Sequence, residues 1–240
     1  MGIPTITAMG TIITGTIPMD KGALYRLMSW LSPAFPVGAF AYSHGIEWAV
    51  EEGTVTDRAE LESWLTDLLA RGGAWSDAVL FTRAWRAAAA GDRAALAEIN
   101  DLAVALCPTP ERRLETTAQG NAFLIATRAS WTYDGCADWQ GDMAYPVAVA
   151  WAAAGHGLDL EPALHAFIYA MASNLISAGV RLIPLGQTDG QRVLAALEPA
   201  VAAAASAALA AGPEDLGGCA FLSDISSMRH ETQYTRLFRS

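Results

Sequence analysis

SPAFPVGAFAYSHGIE, residues Ser32 to Glu47, is a stretch through which no helix can run, and the helical pattern of the chain stops at one end of it and resumes at the other. Pro33 and Pro36 fix φ at their own positions and push Ser32 and Phe35 towards extended backbone, while Gly38 permits angles closed to other residues. The same stretch carries Phe35, Val37, Phe40 and Tyr42, more apolar surface than a free loop leaves in water. Two readings stand open: a buried elbow between two helices, or an aromatic element offered to a partner.

Before the loop, Leu24, Leu27, Met28 and Leu31 recur at i, i+3, i+4 and i+7 behind a cap at Asp20, which predicts one apolar helical stripe. Met1 to Met19 is rich in Thr and Ile without helical period and reads as a disordered extension. It lacks a basic start and is interrupted by Pro4, Gly10, Gly15 and Pro18, so it fails as a secretory signal. After the loop, Ser43 to Glu52 reads as a short helix closed by Gly53. Asp57 and Glu60 make a capping-box-like start for a helix with Leu61, Trp64, Leu65, Leu68 and Leu69 on one face, stopped at Arg71-Gly72-Gly73.

A helix from about Trp75 to Ala90 follows. Asp92 then opens one whose face is Leu96, Ile99, Ala103 and Leu106. Thr109 as N-cap with Pro110 at the first helical position launches a helix through Arg128, in which Gly120 predicts a close approach by a neighbour, since glycine mid-helix costs about 1 kcal/mol relative to alanine. Met143 to Ala154 carries Pro146 in its first turn. Asp159 to Ile183 is the most apolar segment and is expected at the centre of the fold; its His165, Ser173, Asn174, Ser177 and Arg181 argue for a core helix over a membrane span. Thr188 with Gln191 suggests a capping box for a helix kinked or ended near Pro199 and continuing to Ala211. Short connections between these patterns imply antiparallel neighbours. The expected class is all-α, a single-domain bundle of roughly eight to ten helices over residues 20–212. A Gly-rich hinge and a tail expected to order on a partner occupy 213–240.

Of 240 residues, 52% are hydrophobic and 17% charged, enough for a substantial core. A net charge of -10 argues against a sequence-independent nucleic-acid binder. The tail from Met228 to Ser240 runs the other way, with Arg229, Arg236 and Arg239 against Glu231 alone. Cys107, Cys136 and Cys219 are odd in number and widely spaced, so neither a disulfide framework nor a CxxC metal site is indicated. A reducing compartment, the cytoplasm, follows as the expectation.

Three separated segments carry a resemblance. SPAFPVGAFAYSHGIEWAVEEG from Ser32, NLISAGVRLIPLGQTDGQRVLAAL from Asn174, and SSMRHETQYTRLFRS from Ser226 resemble, in the same order, signatures of the urease accessory protein F family. Glu115 and the Gln119-Gly120 pair agree with it as well. The resemblance implies a non-enzymatic helical homodimer. With the D or H accessory protein and the accessory GTPase G, such a protein loads nickel into apo-urease, nickel and GTP being handled by the complex rather than bound here. No GxxxxGK[ST] occurs, so GTP belongs to the partner. An arginine supplied in trans to that GTPase is conceivable from Arg181 or Arg192.

The expected partner-facing residues form three groups: Phe35, Phe40 and Tyr42 in the loop; Asn174, Arg181, Gln187, Asp189 and Arg192; and Arg229, Tyr234, Arg236, Leu237 and Phe238 in the tail. The alternatives are a generic helical interaction module or a hydrolase using Ser43, His44 and Glu47. Neighbours on a helix point about 100° apart, which makes the last a poor triad. Among His44, His156, His165, His230 and the cysteines, no two have metal-ligand spacing.

Overall fold

The computed structural model describes residues 21–240, so the expectations for Asp20 and for residues 1–19 lie outside the described part. Eleven α-helices and two single 3-10 turns, with no strand, make up the described chain: α1 Lys21–Trp30, α2 Ile46–Glu51, α3 Arg58–Arg71, α4 Gly73–Ala89, α5 Arg93–Ala105, α6 Pro110–Ser130, α7 Tyr145–Gly155, α8 Leu160–Leu182, α9 Gln187–Ala196, α10 Glu198–Ala210 and α11 Phe221–His230. α9 and α10 meet at a 42° bend just before Pro199, where the sequence placed a kink; counted as one bent helix they bring the total to ten.

Local chemistry sets most of the boundaries. The side chains of Asp57, Asp92 and Thr109 accept hydrogen bonds from the backbone N–H of Glu60, Ala95 and Arg112, closing the first turns of α3, α5 and α6. Thr188 does not cap α9. That helix begins at Gln187 with Gly186 as its N-cap, two residues before the expected cap, and no side-chain bond replaces the expected box.

The centre is α7 rather than α8. Pro146 to Ala153 are all buried, and small residues let α4, α6 and α8 close on every side of this helix. α8 buries one flank, through Leu164, Phe167, Ile168, Leu175 and Ile176, and leaves Tyr169, Ser177 and Arg181 outside. Gly120 of α6 makes the closest approach in this core: a Cβ built there would lie 1.9 Å from the backbone oxygen of Met143.

Two other expectations shift. In α1 the buried residues are Leu27 and Trp30, while Leu24 and Met28 stand exposed. The Trp30 ring sits 6.0 Å from Phe123, 6.3 Å from Trp131 and 5.2 Å from His156; its larger apolar surface turns the helix away from the all-aliphatic stripe. Residues 213–240 are not a free appendage either. The indole of Trp75 donates to Asp215 O at 3.0 Å, and Cys219 N donates to Arg71 O at 2.7 Å. α11 packs on α2, and Phe238 and Ser240 are buried.

Candidate functional site

The loop of residues 32–45 divides into an inner and an outer part. Phe35 and Tyr42 are buried, with the Phe35 ring 5.3 Å from Phe123 and 6.0 Å from Trp131, whereas Phe40 is 70% exposed. Asn174 Nδ2 donates to Ala39 O at 2.9 Å and Arg181 Nη1 to Phe40 O at 2.8 Å, so α8 clamps the loop through its backbone. Phe35 and Tyr42 are core residues, as a buried elbow requires, and Phe40 alone of the three aromatic rings stands in solvent. Phe35→Ala is therefore expected to cost about 3 kcal/mol in a denaturant melt. Phe40→Ala should stay within about 0.5 kcal/mol of the parent.

The loop ends in a tight turn. His44, at φ 55, is the one non-glycine residue with positive φ among the described residues, and Gly45 follows at φ 78. This left-handed pair is why α2 starts at Ile46 and not at Ser43. A Cβ on Gly45 would also meet Ser227 N at 2.6 Å, so α11 lies directly against the turn.

Behind the turn lies a buried cluster of charges drawn from four parts of the chain. Glu115 of α6 is its hub: it accepts from His44 Nε2 at 2.7 Å, from Gln119 Nε2 at 2.9 Å, from Ser240 Oγ at 2.7 Å and from the Arg112 guanidinium. Burial alone would raise its carboxyl, but Arg112, His44 and the hydrogen bonds outweigh burial and bring it down to about 2. Burial and the nearby Arg112 push the His44 imidazole down.

Glu47, in the first turn of α2, accepts from Leu237 N at 2.6 Å, Phe238 N at 2.9 Å and His230 Nε2 at 3.1 Å. The other His230 nitrogen lies 2.7 Å from Glu111 Oε2, and Glu111 Oε1 accepts from Arg236 at 2.6 Å. Ser43 donates to Ser240 O through both N–H and Oγ, at 2.7 and 2.6 Å. The segment of residues 231–240 is thus fastened to the body by carboxylates that α2 and α6 hold beneath it.

This geometry assembles no triad from Ser43, His44 and Glu47. Their side chains bond to Ser240, Glu115 and the tail, and no side chain of the three bonds to the side chain of another; Ser43 Oγ only accepts from the backbone N–H of Glu47 at 3.4 Å. Among the described residues, no three His, Cys, Asp or Glu side chains converge in a metal-holding group. One carboxylate stands apart. Asp77 of α4 faces Arg112 and Glu115 without a hydrogen bond, and burial pushes it from 3.8 up to about 6. The folded protein binds this proton more tightly than the unfolded chain, so stability falls as pH rises from about 4 through 6. Asp77→Asn should raise stability at neutral pH by about 2 kcal/mol and flatten that part of the pH profile, as thermal melts across the range would register.

Of the partner-facing residues expected from the sequence, Phe40, Arg181, Gln187, Arg192, Arg229, Tyr234, Arg236 and Leu237 are exposed, and Asp189 is half-buried. Asp189 pairs with Arg192 at 2.8 Å, and Arg181 lies 4.3 Å over the Phe238 ring. Phe35, Tyr42, Asn174 and Phe238 face inward or are committed within the fold. Sequence reasoning missed Phe221, Leu222, Ile225 and Met228, an exposed apolar stripe along α11. Their spacing carried the signal, but the segment was read as part of a hinge and tail.

A model of the UreF family matches residues 55–198. A protein named urease accessory protein UreF from Rhodopseudomonas palustris strain HaA2 is 56% identical over 231 residues, covering 94% of this chain and 98% of that one. Its namesake from Bradyrhizobium diazoefficiens is 55% identical over 225 residues, 92% of this chain and 93% of its own. One from Bradyrhizobium sp. strain ORS 278 is 52% identical over 240 residues, 97% and 100% of the two chains.

Proposed function

Because the chain belongs to the urease accessory protein UreF family, with a role in urease maturation, we propose that it serves as a cytoplasmic, non-enzymatic scaffold on which a nickel-inserting complex is built. The complex comprises the D or H accessory protein, the accessory GTPase G and apo-urease. GTP is held by the GTPase, nickel is the cargo, and the scaffold acts as a homodimer.

The observation that carries this reading is the α11 stripe. Phe221, Leu222, Ile225 and Met228 stand half or more exposed on a helix whose other side is held to the body through Ser227 and His230, and the exposed Tyr234 and Leu237 extend the same segment. An apolar face of that extent, presented on a fixed support, suits the D or H scaffold partner. Arg229, Arg236 and the arginine-rich end of the chain supply the polar rim. Phe40, Arg181, Gln187, Asp189 and Arg192, around the loop and the start of α9, are the second surface, assigned to the GTPase or to a second copy.

The test is co-purification with both accessory proteins, with and without GTP, followed by urease activation. Leu222→Asp with Ile225→Asp should abolish retention of the D or H protein and activation of urease, while the melting temperature moves by no more than a few degrees. Retention of that partner by the doubly substituted protein would refute the assignment of α11.

A further inference from the structure

The core takes only Leu27 and Trp30 from α1 and leaves an apolar face of that helix in water: Leu24 is 45% exposed, and Tyr25 and Met28 are 68% exposed each. Tyr25 and Met28 line an open groove of about 650 Å³, together with Phe35 of the loop and Ala126, Ala129 and Trp131 at the end of α6. No charged side chain among the described residues lines it. Ile125, next to Ala126, is a further exposed apolar side chain there, at 69%. An uncharged groove flanked by exposed apolar side chains is a surface built to be covered.

The chain itself carries a segment that fits. It enters α1 at Lys21, about one helical turn from Tyr25, and residues 1–20 precede that point. Fully extended, a stretch of this length reaches about 65 Å, against about 15 Å for the whole of α1, so it can lie back along the helix with chain to spare. Ile3, Ile6, Ile12, Ile13 and Ile17 fall within it, and Asp20 is its only charged side chain. That composition is the opposite of one that stays in water for lack of apolar surface to bury.

We propose that residues 3–17 dock in this groove, their isoleucines covering Tyr25, Met28 and Trp131, so that the chain closes the apolar face of α1 with its own N-terminal segment. Tethering favours this occupant over a second copy. A segment joined at Lys21 meets the groove at roughly millimolar effective concentration, which a free competitor has to match. The contact is a property of the isolated chain and does not depend on the assembly proposed above.

Alkylation of the full-length chain carrying Met28→Cys tests it, with N-ethylmaleimide as the probe and mass spectrometry reading the rate at position 28 relative to the exposed Cys219. The introduced thiol is expected to react about tenfold more slowly than in a chain that also carries Ile6→Asp, Ile12→Asp and Ile13→Asp. That is the protection a contact with a Kd of about 0.1 mM gives at roughly millimolar effective concentration. The difference should persist when the protein is diluted, because the contact lies within one chain. Tyr25→Cys is the second reporter, decisive even where Met28→Cys disturbs α1. Equal rates with and without the three aspartates would overturn the inference. Protection that fades on dilution would overturn it as well, by placing a second copy in the groove.

Discussion

Replacing Glu115 with alanine is expected to destabilise the protein by about 3–5 kcal/mol, because it strips the partner from a buried arginine and leaves three other donors unanswered at the same point. The pH dependence gives an independent check. With its carboxyl lowered from 4.5 to about 2 in the folded state, Glu115 contributes stability that is fully present above pH 4.5 and lost as pH falls towards 2. Glu115→Gln should erase that acid-side loss, which is opposite in sign to the contribution of Asp77. Denaturant melts at a series of pH values separate the two. An alanine variant as stable as the parent at neutral pH would mean that the cluster is solvated and contributes little.

Gly120→Val is expected to prevent folding to the parent structure altogether. The added side chain begins 1.9 Å from Met143 O, a backbone atom that cannot rotate aside, and the peptide it would displace leads into α7, buried from Pro146 to Ala153. The cost exceeds the 1–3 kcal/mol of ordinary over-packing, where a flexible side chain gives way. Even Gly120→Ala should lower the melting temperature sharply, which circular dichroism would report; a native-like melt would show that α6 and the segment before α7 have room to separate.

What the sequence made legible was local. Asp57, Asp92, Thr109 and Pro110 act within three residues of the turns they close, and Gly120 signalled its close approach because nothing else excuses a glycine in the middle of a helix. The three signature segments were legible for the same reason, being contiguous. The charged cluster was not, because its members come from residues 43–47, 111–119 and 223–240, and nothing near Glu47 announces that its donors arrive from Leu237 and Phe238. The stripe of α1 failed at Trp30, whose partners Phe123, Trp131 and His156 lie 93 to 126 residues away. The tail was misread because basic and aromatic composition suggests availability to a partner, while the burial of Phe238 depends on carboxylates supplied by distant helices.

The fastening of Ser240 to Ser43, and of Phe238 to Glu47, joins positions 197 and 191 residues apart. Closing so long a span adds little to the equilibrium, since each doubling of loop length costs only about 0.6 kcal/mol. It weighs on the rate instead, because pairings this distant form late in folding. During synthesis, α2 and α6 emerge long before the segment that neutralises their carboxylates. In the finished protein the same contacts are expected to open as one unit. The amides of Leu237 and Phe238 should exchange with deuterium in step with each other, and faster than the amides of α7, marking the seam along which the molecule first comes apart.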